Sequence, residues 1–272
     1  MDFLGLLREE RAKAKAKAKA KAKGGGDDAT NEDATSTTVP ARPQEDLERA
    51  YEGPSLPSLQ LQTSLSVEPS LLYLEDAVSE AVAIKLESAL GGTRQYSQFT
   101  QLSSRLVAVF GKHPGQQQQT GPPPLLPSWL SSLADDLVQA GIFEPDCAPN
   151  NVLVNSYGRS GGIDHHTDGP AYHPVVAILS LGGPMSLSFR TRLRSEEVGM
   201  KDSQEVTSAL LMPRSLLVFR RELYHDHLHG IAADRESEVV GANSANREIL
   251  GLEEGAIVPR GPRVSLTFRY VP

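Results

Sequence analysis

His166-Thr167-Asp168 sets an imidazole nitrogen and a carboxylate oxygen on one face of an extended chain, because alternate residues of a strand point the same way. These are two of the three donors in the 2-His-1-carboxylate set that holds non-haem iron(II) with open coordination positions. Alone the pair is a weak signal, since chance supplies a His-x-Asp in many chains of 272 residues. Such a site also needs a third ligand, a clamp for a co-substrate and a scaffold that brings them together.

The third ligand is sought downstream, on another strand that meets the His-x-Asp strand. YHDHLHGI offers His225, His227 and His229, which share a face if the segment is extended, so parity does not separate them. His229 is chosen because Gly230 follows it, and a residue without a side chain lets a neighbouring backbone approach closely. His225 and His227 are then supporting or solvated histidines. His165 is out of phase with His166 and Asp168 and should point away from the metal. His113 and His173 fall in a loop and a turn and carry no signal.

A dianionic keto acid would need a fixed cation. In RVSLTFR, Arg263, Ser265, Thr267 and Arg269 share one face and Val264, Leu266 and Phe268 the other. Two inward arginines are costly to bury without anions, and a carboxylate suits the guanidinium fork. A solvated outer face with Arg–Glu pairs fits this strand equally well. Asn155 and Tyr157 alternate on another strand and present an amide and a phenol to a common face.

The elements that must position these groups change character along the chain. Leu71–Tyr73 reads as a short extended piece and Leu74 to Leu90 as an amphipathic helix with Leu74, Val78, Val82, Leu86 and Ala89 on its apolar face. Gly91-Gly92 ends it. A polar stretch with Tyr96, Phe99 and Arg105 follows, then a Gln- and Pro-rich loop over 111–127. Pro127 to Ala140 reads as a second helix, with Trp129 as a packing residue. From Val152 the pattern is of short strands: Val152–Tyr157, Ile163–Thr167, Val175–Leu181, Met185–Arg190, Ser208–Met212, Ser215–Arg220, Asp226–Gly230 and Arg263–Tyr270. Eight strands joined by tight turns predict a mainly β fold, a double-sheet jelly roll with N-terminal helices at its flank. The two long connections, 191–207 and 231–262, read as polar surface excursions.

Composition bounds the rest. Residues 1–23 hold eight Lys/Arg against three Asp/Glu, or +5, and the remainder holds 19 against 31, or −12, within a net −7. The six Ala-Lys repeats of 12–23 leave a helix no apolar face, so they predict an unstructured basic tail. Residues 1–57 as a whole read as disordered leader and linker, ahead of a folded domain over 70–272. An acidic body argues against strong non-specific binding of nucleic acid. A lone Cys147 and the lack of a secretory signal predict an intracellular protein, cytoplasmic or nuclear, and a monomer. The longest apolar runs are far too short to span a membrane.

Asn155-x-Tyr157, His166-x-Asp168, His229 and Arg263-x5-Arg269 occur in one order across about 115 residues. The strings VLVNSY, HTDGPAYHPVVAILSLG, PRSLLVFR, LHGIAA and RGPRVSLTFR resemble the AlkB family of iron(II)/2-oxoglutarate dioxygenases, and within it the homologue 6 subgroup. The resemblance covers roughly 70–272. It implies that His166, Asp168 and His229 ligate Fe(II), and that 2-oxoglutarate and O2 take the open positions. Arg263, helped by Tyr157, would hold the distal carboxylate, with Asn155 and Arg269 supporting the metal-proximal end. It further implies oxidation of a C–H bond with release of succinate and CO2, and, for an N-methylated nucleic acid, loss of the hydroxylated methyl as formaldehyde. Ser265 departs from the family, several members of which have Asn there, so that contact should be weaker or run through water. No tryptophan or basic loop marks a nucleobase lid. Tyr96, Phe99, Arg105 and Tyr172 are the candidates for lining the substrate entrance.

Three rivals follow from the same residues. One is this chemistry on a protein or small molecule, which the acidic body favours. Another is a jelly-roll metal module without turnover, using His225, His227 and His229. The last is a basic-tailed nucleic-acid adaptor built on residues 12–23.

Overall fold

VVAILSL and LLVF lack the alternation of a half-solvated strand, because the sheet they form is covered on both faces. The computed structural model describes residues 5–6, 8–14, 16, 70–91, 99–114, 125–192 and 204–272. In order these form β1 (Leu71–Leu74), α1 (Glu80–Gly91), β2 (Thr100–Gln101), β3 (Arg105–Gly111), α2 (Ser128–Gln139), β4 (Asn151–Tyr157) and β5 (Ile163–His166). There follow β6 (Val175–Gly182), β7 (Met185–Thr191), β8 (Glu205–Leu211), β9 (Leu216–Arg220), α3 (Glu222–His225), β10 (His227–Ile231), β11 (Ser237–Val239), β12 (Ile257–Pro259) and β13 (Arg263–Arg269).

An antiparallel seven-stranded sheet, ordered β1-β9-β6-β13-β4-β3-β2, faces a four-stranded sheet ordered β5-β10-β7-β8. This is the expected jelly roll. Alternate residues of the large sheet serve two cores. Val152, Val154, Ala177, Leu179, Val218, Leu266 and Phe268 pack outward with Val82, Leu86, Trp129 and Leu133 of the two helices. Leu153, Val176, Ile178, Leu217 and Phe219 turn inward to meet Met185, Leu187, Phe189 and Leu211 of the small sheet. Ser186, Ser188 and Arg190 lie on the outer face of β7, so that strand alternates between apolar and polar residues.

Several expectations need correction. The first helix starts at Glu80 rather than Leu74, because Leu74 pairs with Leu216 in the sheet and Ser79 Oγ accepts the Val82 N–H at the helix start. The polar stretch contains β2 and β3, and β3 pairs along its whole length with β4. The 231–262 connection lies at the surface, as expected, but is anchored from inside. Its β11–β12 ribbon carries Glu238, which is buried and takes Arg260 Nε at 2.6 Å, while the Arg260 guanidinium also donates to the Gly161 and Ala232 carbonyls. Charged residues made it look solvated, yet their partners were distant in sequence.

The start of the leader also departs from the unstructured reading. Residues 5–6, 8–14 and 16 are helical, with Leu6 and Glu10 buried. Residues 17–69, which hold most of the Ala-Lys repeat and the linker, lie outside the described residues. So do Tyr96 and most of the Gln- and Pro-rich loop. Among the described residues no helix is long and apolar enough to cross a membrane.

Candidate active site

The inner face of the large sheet is apolar except for a ladder of polar groups, set by register. Arg105, Tyr157 and Arg263 form one rung across β3, β4 and β13. Asn155, Ser265 and Ser180 form the next, and Asn151 and Arg269 stand at the far end. All of these are buried. The even choice between an inward and a solvated arginine face is thereby settled: Arg263, Ser265, Thr267 and Arg269 face the interior, because Leu266 and Phe268 are needed against the helices.

Opposite this ladder the small sheet supplies the histidines. β5 and β10 pair antiparallel with His166 against His229 and Ile163 against Ile231, so a bulge carries both Ile163 and His166 inward despite their odd spacing. Gly230 lies under β5. A Cβ there would stand 2.9 Å from His165 Cγ and from the Ile163 carbonyl oxygen. Gly230→Ala should therefore destabilise the fold by about 1–3 kcal/mol, as overpacking does, and lower the iron-binding stoichiometry. Thermal unfolding and a metal titration would check both.

His166, Asp168 and His229 offer ligand atoms that all lie within 4.8 Å of one another, and each residue is buried. Asp168 sits two residues beyond β5, at a turn where Gly169 takes a φ of 82°. The Asp164 carbonyl lies 2.7 Å from His166 Nδ1, which places the proton there and leaves the Nε2 lone pair for a ligand bond. Asp168 Oδ1 accepts from Arg269 Nη1 at 2.5 Å, whereas Oδ2 is buried without a hydrogen bond, 3.9 Å from His229 Nε2. A buried carboxylate oxygen without a donor, facing two imidazoles, is what a divalent cation would satisfy. Burial holds His166 well below the usual histidine range and also lowers His229, which favours the neutral, ligating form. The donor set therefore fits the metal.

One cavity joins this triad to the polar ladder, lined by Asn155, Tyr157, His166, Asp168, His229, Arg263, Ser265 and Arg269. Arg263 donates through Nη2 to Ser180 Oγ at 2.9 Å and lies over the Tyr157 ring, 5.6 Å from its centroid. Its Nε is buried without a partner. Burial lowers its pKa to about 10, which still leaves the guanidinium charged at neutral pH. Asn155 Oδ1 accepts from Arg105 Nε at 3.0 Å, so its amide N–H groups are left for the cavity. The buried guanidinium of Arg269 stacks on Tyr172, 4.2 Å from the ring centroid. Ser180 was not singled out in the sequence, although it is the lone hydroxyl inside the apolar run VVAILSLG and a buried one.

The remaining candidates separate clearly. His225 ends helix α3 rather than extending a strand, and half-buried His227 donates from Nδ1 to the Glu222 carbonyl, 2.9 Å away. Neither joins the triad, so the three-histidine metal set fails: a helical turn breaks the shared face that it required. His165 points outward as expected, its Nε2 2.8 Å from Ser188 Oγ, and burial followed by Arg190 pushes its pKa down to about 4. Phe99 packs on the outer core, away from the cavity. Arg105 is buried and faces inward, behind Asn155 of the cavity wall, which it holds through Nε. Tyr172 lines a separate cleft of about 680 Å³ with Thr167, Tyr224 and Arg192, which none of the triad residues lines.

Comparison with known proteins agrees with this geometry. Residues 81–269 match the family described as the 2OG-Fe(II) oxygenase superfamily. A protein of Danio rerio, named as a probable RNA/DNA demethylase ALKBH6, is 32% identical over 208 residues, covering 75% of this chain and 86% of that one. An uncharacterized protein L905 of Acanthamoeba polyphaga mimivirus is 27% identical over 150 residues, 55% of this chain and 60% of that one. Among solved structures, that of OsALKBH1 aligns with 74% of this chain and 98% of its own at 18% identity and a TM-score of 0.48, a distant likeness. The chain belongs to the 2OG-Fe(II) oxygenase superfamily, in its AlkB family, and is an Fe(II)- and 2-oxoglutarate-dependent dioxygenase.

Proposed function

We propose that His166, Asp168 and His229 hold the Fe(II), that Arg263 with Tyr157 and Ser180 receives the distal carboxylate of 2-oxoglutarate, and that the substrate is a nucleic acid bearing an N-methyl group. The observation that carries the co-substrate assignment is Arg263. It is buried, it faces the cavity that holds the triad, and it forms no ion pair among the described residues, whereas the buried Arg105, Arg260 and Arg269 each have a carboxylate. A lone buried guanidinium is costly, and a bound carboxylate offsets that cost.

When bound, iron and 2-oxoglutarate supply the oxidation: O2 and the keto acid become succinate and CO2 while the second oxygen atom enters a substrate C–H bond. The chain's own work is binding and exclusion of water. Asn155 and Ser265 offer short polar groups to the middle of the keto acid. Arg269 neutralises the far oxygen of Asp168 and so fixes which oxygen faces the metal. Inward Leu153, Ile178, Leu187 and Leu211 line the same cavity and keep it dry.

The nucleic-acid substrate is supported by the likeness to a protein named as a probable RNA/DNA demethylase. The body charge of −12 favours a second reading, the same chemistry on a protein or small molecule. We assign the dioxygenase domain to residues 70–272, and its single cysteine fits a reducing compartment, cytoplasm or nucleus, and a monomeric protein.

Anaerobic addition of Fe(II) and 2-oxoglutarate should give the visible metal-to-ligand band. Admitting O2 should then yield succinate, and single-stranded DNA or RNA carrying N-methyl bases should add formaldehyde. Succinate with no formaldehyde from either nucleic acid would move the substrate to the second reading. No band from folded protein would overturn the site assignment.

A further inference from the structure

The leader helix and Arg105 are left over once the co-substrate cavity has been assigned. Leu6, Glu10 and Ala14 recur every four residues and so share one face of the helix; Leu6 and Glu10 are buried and Ala14 is half-buried, while Arg8, Arg11, Ala12 and Lys13 are exposed. Leu6 joins the inner core between the two sheets. Glu10 Oε1 accepts from Arg105 Nη1 at 2.6 Å, and the same guanidinium holds Asn155 of the cavity wall. The helix is thus tied to β3 through Arg105 and packs on the inner core that Val107 of β3 and Ile163 of β5 share.

The contact is a poor permanent wall. Glu10 Oε2 and Arg105 Nη2 are both buried with no hydrogen-bond partner, so two charged groups meet through one bond where a guanidinium and a carboxylate can form two. A well-packed apolar residue would hold the helix there as well or better than a half-satisfied ion pair. Buried pairs of this kind are better suited to switching than to stability.

We propose that the N-terminal helix is a removable plug in the slot between β3 and β5, latched by Glu10 on Arg105, and that substrate entry requires it to leave. This rests on the reading of the cavity behind it as the active site. Release removes the carboxylate from Arg105 and opens the slot to water, so the guanidinium is not stranded. It then stands at the entrance beside Asn155, able to meet an anionic or carbonyl group of the incoming substrate.

The test compares the full chain with Leu6→Asp and Glu10→Gln, which undock the helix without deleting its basic residues. Amide hydrogen exchange of residues 8–14 should be slow in the wild type and fast in both variants. The iron–2-oxoglutarate band and the unfolding midpoint of the body should be unchanged. Succinate formation without added substrate should rise at least about threefold, because exchange of O2, 2-oxoglutarate and succinate through the slot no longer waits for the helix to leave. Fast exchange in the wild type would overturn the plug, since the helix would not be docked. A weaker band, a lower midpoint and no gain in succinate would also overturn it, by making the helix a structural wall. If undocking raises succinate formation but N-methylated oligonucleotides bind neither form, the plug stands and the nucleic-acid substrate falls.

Discussion

His166→Ala and Asp168→Asn are each expected to abolish the iron–2-oxoglutarate band and to lower succinate formation by about 10³-fold or more, the several kcal/mol that a bound metal contributes to such a reaction. Asparagine is the informative replacement at Asp168. Alanine would leave Arg269 buried beside an empty space, a loss of about 3–5 kcal/mol in stability that would hide the catalytic effect. The amide keeps an oxygen for Arg269 and removes only the anionic donor aimed at the histidines. Thermal unfolding of the metal-free proteins checks that the fold survives. Retention of band and succinate by either variant would exclude that residue from the metal site.

Arg263→Met should raise the KM for 2-oxoglutarate by about 10- to 100-fold, since a charge-assisted hydrogen bond contributes about 1.5–3 kcal/mol and each 1.4 kcal/mol is tenfold. Iron affinity should hold. Methionine keeps much of the stem volume and removes a buried charge that has no carboxylate partner among the described residues, so metal-free stability should stay level or rise. That combination, weaker co-substrate binding in a protein no less stable, is not what loss of a structural ion pair would produce. Equal loss of iron and 2-oxoglutarate would show that the clamp lies elsewhere.

Much of this site was legible before any coordinates. His166 and Asp168 were found by strand parity, and His229 by the glycine behind it, which lies under His165 and Ile163. Strands β4 to β10 and β13 were found because each is short, β-rich and bounded by turn residues. β2 and β3 were missed. Thr100-Gln101 is polar and too short to signal a strand, and the apolar run Leu106–Phe110 of β3 was passed over because polar residues surround it. The single helical turn Glu222–His225, which takes His225 off the face of His227 and His229, carries no periodicity that a sequence window can detect.

What the chain determined by itself is the chemistry: two histidines and an aspartate in order, two arginines six residues apart on one strand face, an amide and a phenol on another. Side-chain type and parity are local properties, so they survive without a fold. Tertiary structure decided everything that depends on which face is covered. Helices α1 and α2 claim Leu266 and Phe268, and that alone turns Arg263 and Arg269 inward. Pairing across distant segments decided which charges are already satisfied, Arg105 by Glu10, Arg260 by Glu238 and Arg269 by Asp168. Arg263 is the buried arginine left over, and that difference between four similar residues exists only in the folded chain.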